Sequence, residues 1–302
     1  MRLSVAPEQE GERLDALLAG HLGSRTRAQR LITAGQVLVD GAPARKGHKV
    51  RGGEVLDVDE GDVREPMDLG DGPPAPHEVV WEDEHLLVVD KPAGVVVHPA
   101  AGHESGTLVQ ALAGRAAGGD PMRPGVVHRL DRDTSGLLVL ARDEATHAAL
   151  QKALRERRIT REYLALVDGR PPARAGTIDA PLGRDRRVRT RMSSDTDNPR
   201  AAITHFETER AFEDATLLRV TLETGRTHQI RAHLLAIGNP VAGDPEYGRA
   251  GRFGLGRQFL HAARLAFAHP ATGEPIEVLA PLPEDLVKAL RQASGERADP
   301  RM

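Results

Sequence analysis

The chain has 302 residues, of which 39% are hydrophobic and none is Cys. This length suits one large and one small domain, and the absence of Cys excludes disulfides, thiolate catalysis and Cys-ligated metal centres. No apolar run reaches the roughly 18 residues that cross a bilayer, and the opening residues MRLSVAPEQEGER contain no signal-peptide core. We therefore expect a cytoplasmic protein that does not enter a membrane.

Negative charge is concentrated in one segment. The formal net charge is −3, but residues 59–84 carry ten acidic side chains and a single Arg, so this segment alone contributes −9. The rest of the chain is therefore positive, at +6, and its basic residues cluster in two places. The clusters are Arg25, Arg27 and Arg30 in the first place, and Arg184, Arg186, Arg187, Arg189 and Arg191 in the second. Each cluster taken alone is also typical of a solvated surface.

The first 60 residues are predicted to form a small α+β unit. Apolar residues at helical spacing in RLDALLAGHL predict one helix, and Ser24 is a suitable N-cap for a second helix over residues 25–34. Two short runs bounded by Gly and Asp, residues 37–41 and 52–60, predict strands. A unit of this size buries little apolar surface, so we expect it to depend on a partner for order.

A change of composition separates this unit from the remainder. Residues 61–78, GDVREPMDLGDGPPAPHE, show no periodicity, and their Pro, Gly and acidic residues predict an extended linker. From residue 79 the stretch VVWEDEHLLVVDKPAGVVVHPA contains three apolar runs separated by turns, which predict three antiparallel strands. A short helix is expected from residue 108.

The stretch PGVVHRLDRDTSGLLVLAR, residues 124–142, concentrates charge between two apolar runs, which predicts strand, loop and strand. Arg129, Asp131, Arg132 and Asp133 stand together where a core would exclude them, a pattern typical of functional sites. A surface turn with a local ion pair fits the spacing equally well. Asp131 and Asp133 also match a DxD metal pair, but the interleaved Arg residues oppose a divalent cation.

The C-terminal half predicts alternating helices and strands. Asp143 caps a helix that extends to about residue 158, and HQIRAHLLAIG predicts a helix with His228 and Arg231 on one face. The Arg-rich residues 178–200 predict a mobile hairpin or loop. Further strands are expected at residues 161–167, 201–207 and 217–222, edge strands at 260–268 and 276–279, and a last helix at 284–293.

Four stretches resemble, in the same order, the motifs of the RluA/RluD family of RNA pseudouridine synthases. They are KPAGVVVHPAAG at residues 91–102, HRLDRDTSGLLVLA at 128–141, REYLALV at 161–167 and LETGRTHQIRAHLLAIGNPVAGDPEYG at 222–248. This resemblance covers about residues 79–282. Independently, SRTRAQRLITAGQVLVDG at residues 24–41 is similar to the S4 RNA-binding domain, whose Arg-bearing helix contacts structured RNA.

The resemblance implies both a fold and a reaction. The fold is α+β, with a mixed, mostly antiparallel sheet in the synthase domain and a small N-terminal α+β S4-like domain. In the reaction, uracil is detached from C1′ of a uridine, turned and re-bonded through C5. Nothing is added or lost, so no cofactor or metal is required.

The resemblance also assigns roles to individual residues. Asp131, the acid of HRLD, would be catalytic, and the ring of Tyr163 would pack against the target base while its hydroxyl assists proton movement at C5. Arg231 would make a two-pronged contact to Asp131 and keep it ionised. Arg129 would hold the space that the flipped uridine vacates. The first basic cluster, on the S4-like helix, would contact structured RNA. The second is expected over the RNA backbone because of its Arg-rich composition, not because of the resemblance.

The VVHPAAG and ETGRTHQIRAH stretches resemble the RluD branch most, which implies uridines of large-subunit (23S) ribosomal RNA, free or in an assembling particle, as the substrate. We expect a monomer. The predicted division is an S4-like domain at residues 1–60, the linker at 61–78, the catalytic domain at 79–290 and a polar tail at 291–302. The alternatives are a non-catalytic S4-type ribosome-associated factor and a synthase acting on tRNA. The sequence also leaves open whether Asp131 attacks C1′ or removes a proton.

Overall fold

A computed structural model of the protein describes residues 1–22, 25–59, 74–99, 103 and 105–295, except the side chains of residues 25–27 and 30. Most of the predicted linker, the predicted cap Ser24 and the C-terminal tail from residue 296 lie outside the described residues. In the described ranges no helix has both the length and the apolar character needed to cross a membrane.

The N-terminal unit is a four-stranded antiparallel sheet with two helices. Its strands are β1 (Arg2–Ser4), β2 (Val37–Val39), β3 (Ala42–Pro43) and β4 (Val55–Val58), in the order β1-β4-β2-β3, and its helices are α1 (Leu14–Leu22) and α2 (Arg25–Thr33). Leu14, Leu18 and Leu56 are fully buried between these elements. Both predicted helices and both predicted strands are present, and the described residues of this unit also contain two short strands, β1 and β3, that were not predicted.

Nine strands form one large sheet in the order β5-β6-β7-β14-β8-β13-β12-β9, with β15 paired to β14. The strands are β5 (Glu78–Glu82), β6 (Leu86–Lys91), β7 (Ser135–Ala141), β8 (Thr160–Asp168), β9 (Ala175–Asp179), β12 (Ile203–Ala211), β13 (Ala215–Leu222), β14 (Leu260–Ala268) and β15 (Pro275–Leu279). Only the β7–β14 pair is parallel, so the sheet is mixed and mostly antiparallel, as predicted. β10 (Gly183–Arg184) and β11 (Met192–Ser193) form a separate ribbon.

The predicted edge position of residues 260–268 is wrong, because β14 lies in the middle of the sheet between β7 and β8. Gly136 makes this possible. It has φ +110°, and a Cβ atom at this position would lie 2.3 Å from the carbonyl oxygen of Ala262, which no larger residue could tolerate. The close packing of β7, which belongs to the HRLD motif, against β14 therefore depends on this glycine.

Two predicted strands are absent. Val126 makes only an isolated bridge to Leu140, so no strand precedes the HRLD loop. Residues 95–97 also pair with no strand, because the carbonyl groups of Val96 and Val97 accept hydrogen bonds from the start of the next helix. Their hydrogen-bonding capacity is thus used to hold a helix terminus.

Four further helices cover the sheet: α3 (Leu108–Ala111), α4 (Glu144–Arg155), α5 (Gln229–Ala236) and α6 (Glu284–Ala293). Asp143 caps α4 as predicted, since its carboxylate accepts a 2.7 Å hydrogen bond from the backbone N–H of Thr146. The helix ends at Arg155 rather than near residue 158, because Arg157 adopts the left-handed conformation with φ +59°.

Alternate residues of the inner strands face two separate cores. Leu87 and Val89 of β6 point to the core that contains α5 and α6, whereas Leu86 and Val88 point to the core that contains Leu150 of α4. This two-residue alternation is what a strand buried on both faces requires. The helices α4 and α5 therefore lie on opposite faces, and both reach the cleft described next.

Candidate active site

A cleft of about 820 Å³ opens beside the loop that precedes β7. Its lining comes from the HRLD loop, from β8, from the turn before α5 and from the exposed side of α4. The predicted residues Arg129, Asp131, Tyr163 and Arg231 all line it. Four segments that are distant in sequence therefore meet at one cavity, as expected for an active site built on a sheet.

Asp131 lies in the loop, with its side chain 16% exposed. Lys91, the first residue of KPAG, holds this loop in place. Its Nζ donates hydrogen bonds to the carbonyl oxygens of Pro92, Val95 and Arg132, at 2.9, 3.0 and 2.9 Å. Lys91 is fully buried. Burial lowers its pKa to about 7, although the nearby carboxylates of Asp133 and Asp131 oppose the shift.

Arg231 contacts Asp131, but its strongest bonds go elsewhere. Its Nη1 lies 3.4 Å from Oδ2 of Asp131. Its Nε and Nη2 donate to the two carboxylate oxygens of Asp244, at 2.6 and 2.9 Å, and Nη2 also donates to Glu246 at 3.1 Å. The predicted two-pronged contact to Asp131 is therefore wrong, because the planar fork of the guanidinium is directed at Asp244.

Asp244 belongs to the GDPEYG segment and was not among the predicted site residues. Its side chain is fully buried, and it also accepts hydrogen bonds from the backbone N–H groups of Glu246 and Tyr247, at 2.9 and 3.0 Å. Burial opposes ionisation, but the hydrogen bonds and charge of Arg231 outweigh it and lower the pKa of Asp244. The carboxylate is thus ionised and fixed in direction.

Tyr163 lies on β8 with 4% of its surface exposed. Burial raises the pKa of its hydroxyl, the positive charge of Arg161 lowers it, and the negative charge of Asp131 raises it further. The hydroxyl is therefore protonated near neutral pH. Tyr163 thus presents an aromatic ring and a hydrogen-bond donor to the cleft, but not a base.

The basic ribbon β10–β11 is attached to the site through Tyr247. The hydroxyl of Tyr247 accepts a 2.6 Å hydrogen bond from the backbone N–H of Met192, and its ring lies 4.8 Å from the guanidinium of Arg231. Arg187 and Arg189 in the ribbon are exposed, whereas Arg186 is ion-paired with Asp195 and Asp197. Arg184 donates to the carbonyl of Arg189 at 2.9 Å. None of these Arg residues lines the cleft, and the side chains of Arg25, Arg27 and Arg30 lie outside the described residues.

Several basic residues in the cleft were not predicted. They are His128, Arg123, Arg155, Arg157, Arg161 and Arg226. The Nε2 atom of His128 accepts a 3.3 Å hydrogen bond from the N–H of Val139, so its proton lies on Nδ1. Burial, together with the charge of Arg161, lowers the pKa of His128 to about 3. His128 is therefore neutral, and the positive charge of the cleft comes from its Arg residues.

Asp133 does not face the cleft as a second carboxylate. Its oxygens accept hydrogen bonds from Nε and Nη2 of Arg132, at 3.0 and 2.9 Å. In the described part of the chain no group of three His, Asp or Glu residues is arranged to bind a metal ion. The DxD pattern thus has its second Asp in an ion pair.

Comparison with known proteins identifies the class to which this fold and cleft belong. Residues 85–236 match the family model described as RNA pseudouridylate synthase, and residues 12–56 match the model of the S4 domain. The chain belongs to the RNA pseudouridylate synthase family. It is an isomerase that acts on RNA, with an S4 RNA-binding domain at its N-terminus.

Two bacterial relatives are similar in sequence to nearly the whole chain, and one solved structure matches most of it. An uncharacterized RNA pseudouridine synthase of Chloroflexus aurantiacus is 50% identical over 95% of this chain and 92% of the relative. A protein of Xanthomonas campestris named ribosomal large subunit pseudouridine synthase D is 43% identical over 99% of this chain and 95% of the relative. The solved structure of human RNA pseudouridylate synthase domain containing 1 has a TM-score of 0.55 at 30% identity, covering 70% of this chain and 86% of that one.

The predicted family, fold class and enzyme class are confirmed by these matches. The alternative of a non-catalytic S4-type factor gains no support, because the bacterial relatives described above are both named as synthases.

Proposed function

We propose that this enzyme isomerises specific uridines of large-subunit ribosomal RNA. Relatives named ribosomal large subunit pseudouridine synthase D are 43% and 42% identical over 99% and 96% of this chain. The S4 match adds a second RNA-binding element outside the cleft. The substrate would be free ribosomal RNA or an assembling particle, and the enzyme would act in the cytoplasm as a monomer.

The observation that carries the catalytic part of this proposal is the contact between Asp131 and Arg231 in a basic cleft. Arg231 engages Oδ2 of Asp131, and no hydrogen bond from the described residues engages Oδ1. We assign Asp131 as the catalytic residue, with Oδ1 directed to the reacting nucleotide. Its carboxylate either attacks C1′ or removes a proton, and in both cases Arg231 is the adjacent cation.

The other cleft residues receive the following roles. The target uridine must leave its stack to reach Asp131, which costs a few kcal/mol. Arg129 is exposed at the cleft and would hold the vacated space. The buried ring of Tyr163 would pack against the flipped base, and base–aromatic stacking contributes about 1–3 kcal/mol. Because its hydroxyl is protonated, Tyr163 would serve as a hydrogen-bond donor.

We propose the division that the sequence predicts, into an S4-like domain at residues 1–60, a linker at 61–78, a catalytic domain at 79–290 and a tail at 291–302. Because β5 begins at Glu78 and α6 continues to Ala293, the catalytic domain extends slightly beyond both of its predicted bounds. The first basic cluster would bind RNA phosphates on the S4-like domain, and Arg184, Arg187 and Arg189 would do so on the ribbon. Arg186 is less available, because two carboxylates already pair with it.

Mapping of pseudouridines in total RNA tests the proposal. A strain that lacks this enzyme should lose pseudouridine at a small set of large-subunit ribosomal RNA positions, and the intact gene should restore them. If the pseudouridines of ribosomal RNA were unchanged and pseudouridines of tRNA were lost, the enzyme would instead be a pseudouridine synthase that acts on tRNA. Retention of every site in both RNA classes would contradict the proposed substrate altogether.

A further inference from the structure

Arg161 is a buried Arg residue with no carboxylate partner among the described residues, unlike the other two buried Arg residues of the described chain. Within the described ranges three Arg residues are less than a tenth exposed: Arg161 at 7%, Arg231 at 5% and Arg257 at 8%. Arg231 forms a two-pronged ion pair with Asp244. Arg257 does the same with Asp285, at 2.7 and 3.0 Å. No carboxylate of the described residues lies within ion-pair distance of Arg161.

The hydrogen bonds of Arg161 are equally incomplete. Its Nη2 donates to the carbonyl oxygen of Leu222 at 3.4 Å, and its Nε has no hydrogen-bond partner among the described residues. The cleft carboxylate of Glu223, which follows Leu222 in the chain, is already paired with Arg157 and with His205. Because a guanidinium cannot shed its proton in a protein, it retains its charge. A buried, unpaired charge destabilises a fold, so an anion from outside the chain would complete the site.

Arg161 is also placed where such an anion would arrive. It stands two residues before Tyr163 on β8, so both side chains point to the same face, and both line the cleft. Gly225 lines the cleft next to Arg161. A Cβ atom at Gly225 would lie 2.9 Å from Nη1 of Arg161, so the glycine leaves room for the guanidinium.

We propose that Arg161 binds one backbone phosphodiester of the substrate RNA, at or next to the flipped uridine. Nη1, which makes no hydrogen bond among the described residues, and Nη2, which makes only the 3.4 Å bond to Leu222, form the planar fork that matches two phosphate oxygens. A phosphodiester supplies the full negative charge that the site lacks. This inference rests on the proposed function, in that a uridine must enter this cleft. It makes Arg161 a substrate-binding residue that positions the nucleotide against Asp131.

Methylphosphonate substitution tests this directly, because it removes the charge of one phosphate. The probe is an RNA oligonucleotide that contains a uridine converted by the wild-type enzyme, with one methylphosphonate at each successive position around it. For wild type, one position should weaken binding roughly tenfold to a hundredfold. The Arg161→Gln enzyme should bind unmodified RNA more weakly by a similar factor and be insensitive to methylphosphonate at that position.

Salt dependence and stability give two independent readouts. Affinity decreases with salt, and the magnitude of the slope of log affinity against log salt should be smaller by about 0.7 in Arg161→Gln. This is the change expected for one lost phosphate contact on single-stranded RNA. Arg161→Met should melt at or above the wild-type temperature, because an unpaired charge is removed. Arg264→Gln is the control, since Arg264 lies on the neighbouring strand, pairs with Glu277 at 2.6 Å and does not line the cleft.

Two results would overturn the inference. One is an Arg161→Gln enzyme that keeps the wild-type methylphosphonate pattern and salt slope. The other is an Arg161→Met enzyme that unfolds at a markedly lower temperature and loses no affinity when folded, which would assign Arg161 to the core. Neither result depends on which RNA is the natural substrate, so a failure of the ribosomal RNA assignment is recognised separately by the mapping experiment.

Discussion

Arg231 donates two hydrogen bonds to Asp244, at 2.6 and 2.9 Å, and reaches Asp131 with a third nitrogen at 3.4 Å. Asp244 is fully buried and is itself fixed by two backbone N–H groups. The direction of the guanidinium is therefore set by Asp244, and the Asp131 contact follows from it. Asp244 acts as a positioning residue for the cation that holds the candidate catalytic carboxylate.

Asp244→Asn should accordingly lower kcat while leaving KM nearly unchanged. The Asn side chain has nearly the same shape as Asp but lacks the negative charge that orients Arg231. Removing one partner of a buried ion pair also lowers the free energy of unfolding by about 3–5 kcal/mol. Thermal melting and single-turnover kinetics must therefore be measured together. Asp214→Asn is the control, because Asp214 forms a surface ion pair with Arg252, and it should change neither quantity appreciably. A folded Asp244→Asn enzyme with wild-type kcat would show that Arg231 needs no such support.

The pH dependence of stability should carry a contribution from Lys91. Its pKa is about 7 in the folded protein and 10.5 ordinarily, so between these values the unfolded chain binds more protons than the folded one. The free energy of unfolding should therefore rise as pH increases from about 7 toward 10.

Lys91→Met should remove this rise and also lower stability at every pH, because three buried carbonyl oxygens lose their donor. Chemical denaturation at several pH values measures both effects. A pH profile that is identical in the two proteins across this range would contradict the account of Lys91.

Substitutions of Tyr163 should distinguish the contribution of its ring from that of its hydroxyl. Tyr163→Phe keeps the ring against the base, so KM should stay close to wild type while kcat falls if the hydroxyl donates during the reaction. Tyr163→Leu also loses the stacking surface, so KM should rise by roughly tenfold or more. Steady-state kinetics on one RNA substrate distinguishes the cases. Equal effects of Phe and Leu on KM would mean that the ring does not contact the base.

Charge reversal on the S4-like unit should alter substrate choice and spare the chemistry. The double variant Arg27→Glu and Arg30→Glu should reduce conversion of long structured RNA, because phosphate contacts far from Asp131 are lost. Conversion of a short oligonucleotide should be unaffected. Arg2→Gln, which removes an exposed contact to Asp57 at 3.3 Å, serves as the control. Unchanged conversion of the long RNA would assign the unit another role.

The sequence predicted most elements because each depends on local features. The helices α4 and α6 have a capping Asp143 or a clear apolar stripe, and α6 spans the predicted residues. The central position of β14 was missed because strand order depends on contacts such as that between Gly136 and Ala262, which no local pattern encodes. Similarly, the apolar residues around Val126 are typical of a strand, but the backbone of Val126 makes only an isolated bridge, to Leu140.

The candidate site was predicted only in part, and the reason is similar. Family motifs singled out Asp131, Tyr163 and Arg231, and the structure brings all three to one cleft. Asp244 lies 13 residues beyond Arg231, a spacing that carries no signal of contact. The signal for Arg161 was available, since it stands two residues before Tyr163 on a predicted strand and must share its face. Its lack of a carboxylate partner is visible only in three dimensions.

The most direct test of the account is the rate at which Asp131→Asn converts uridine under single-turnover conditions, with Asp133→Asn as the matched control. The Asn keeps the size of the side chain and removes the ionisable oxygen, so conversion should fall by at least roughly a hundredfold while RNA binding and melting temperature stay near wild type. Asp133→Asn, whose carboxylate pairs with Arg132, should remain active. Conversion by a folded Asp131→Asn enzyme at a rate close to wild type would contradict the central claim.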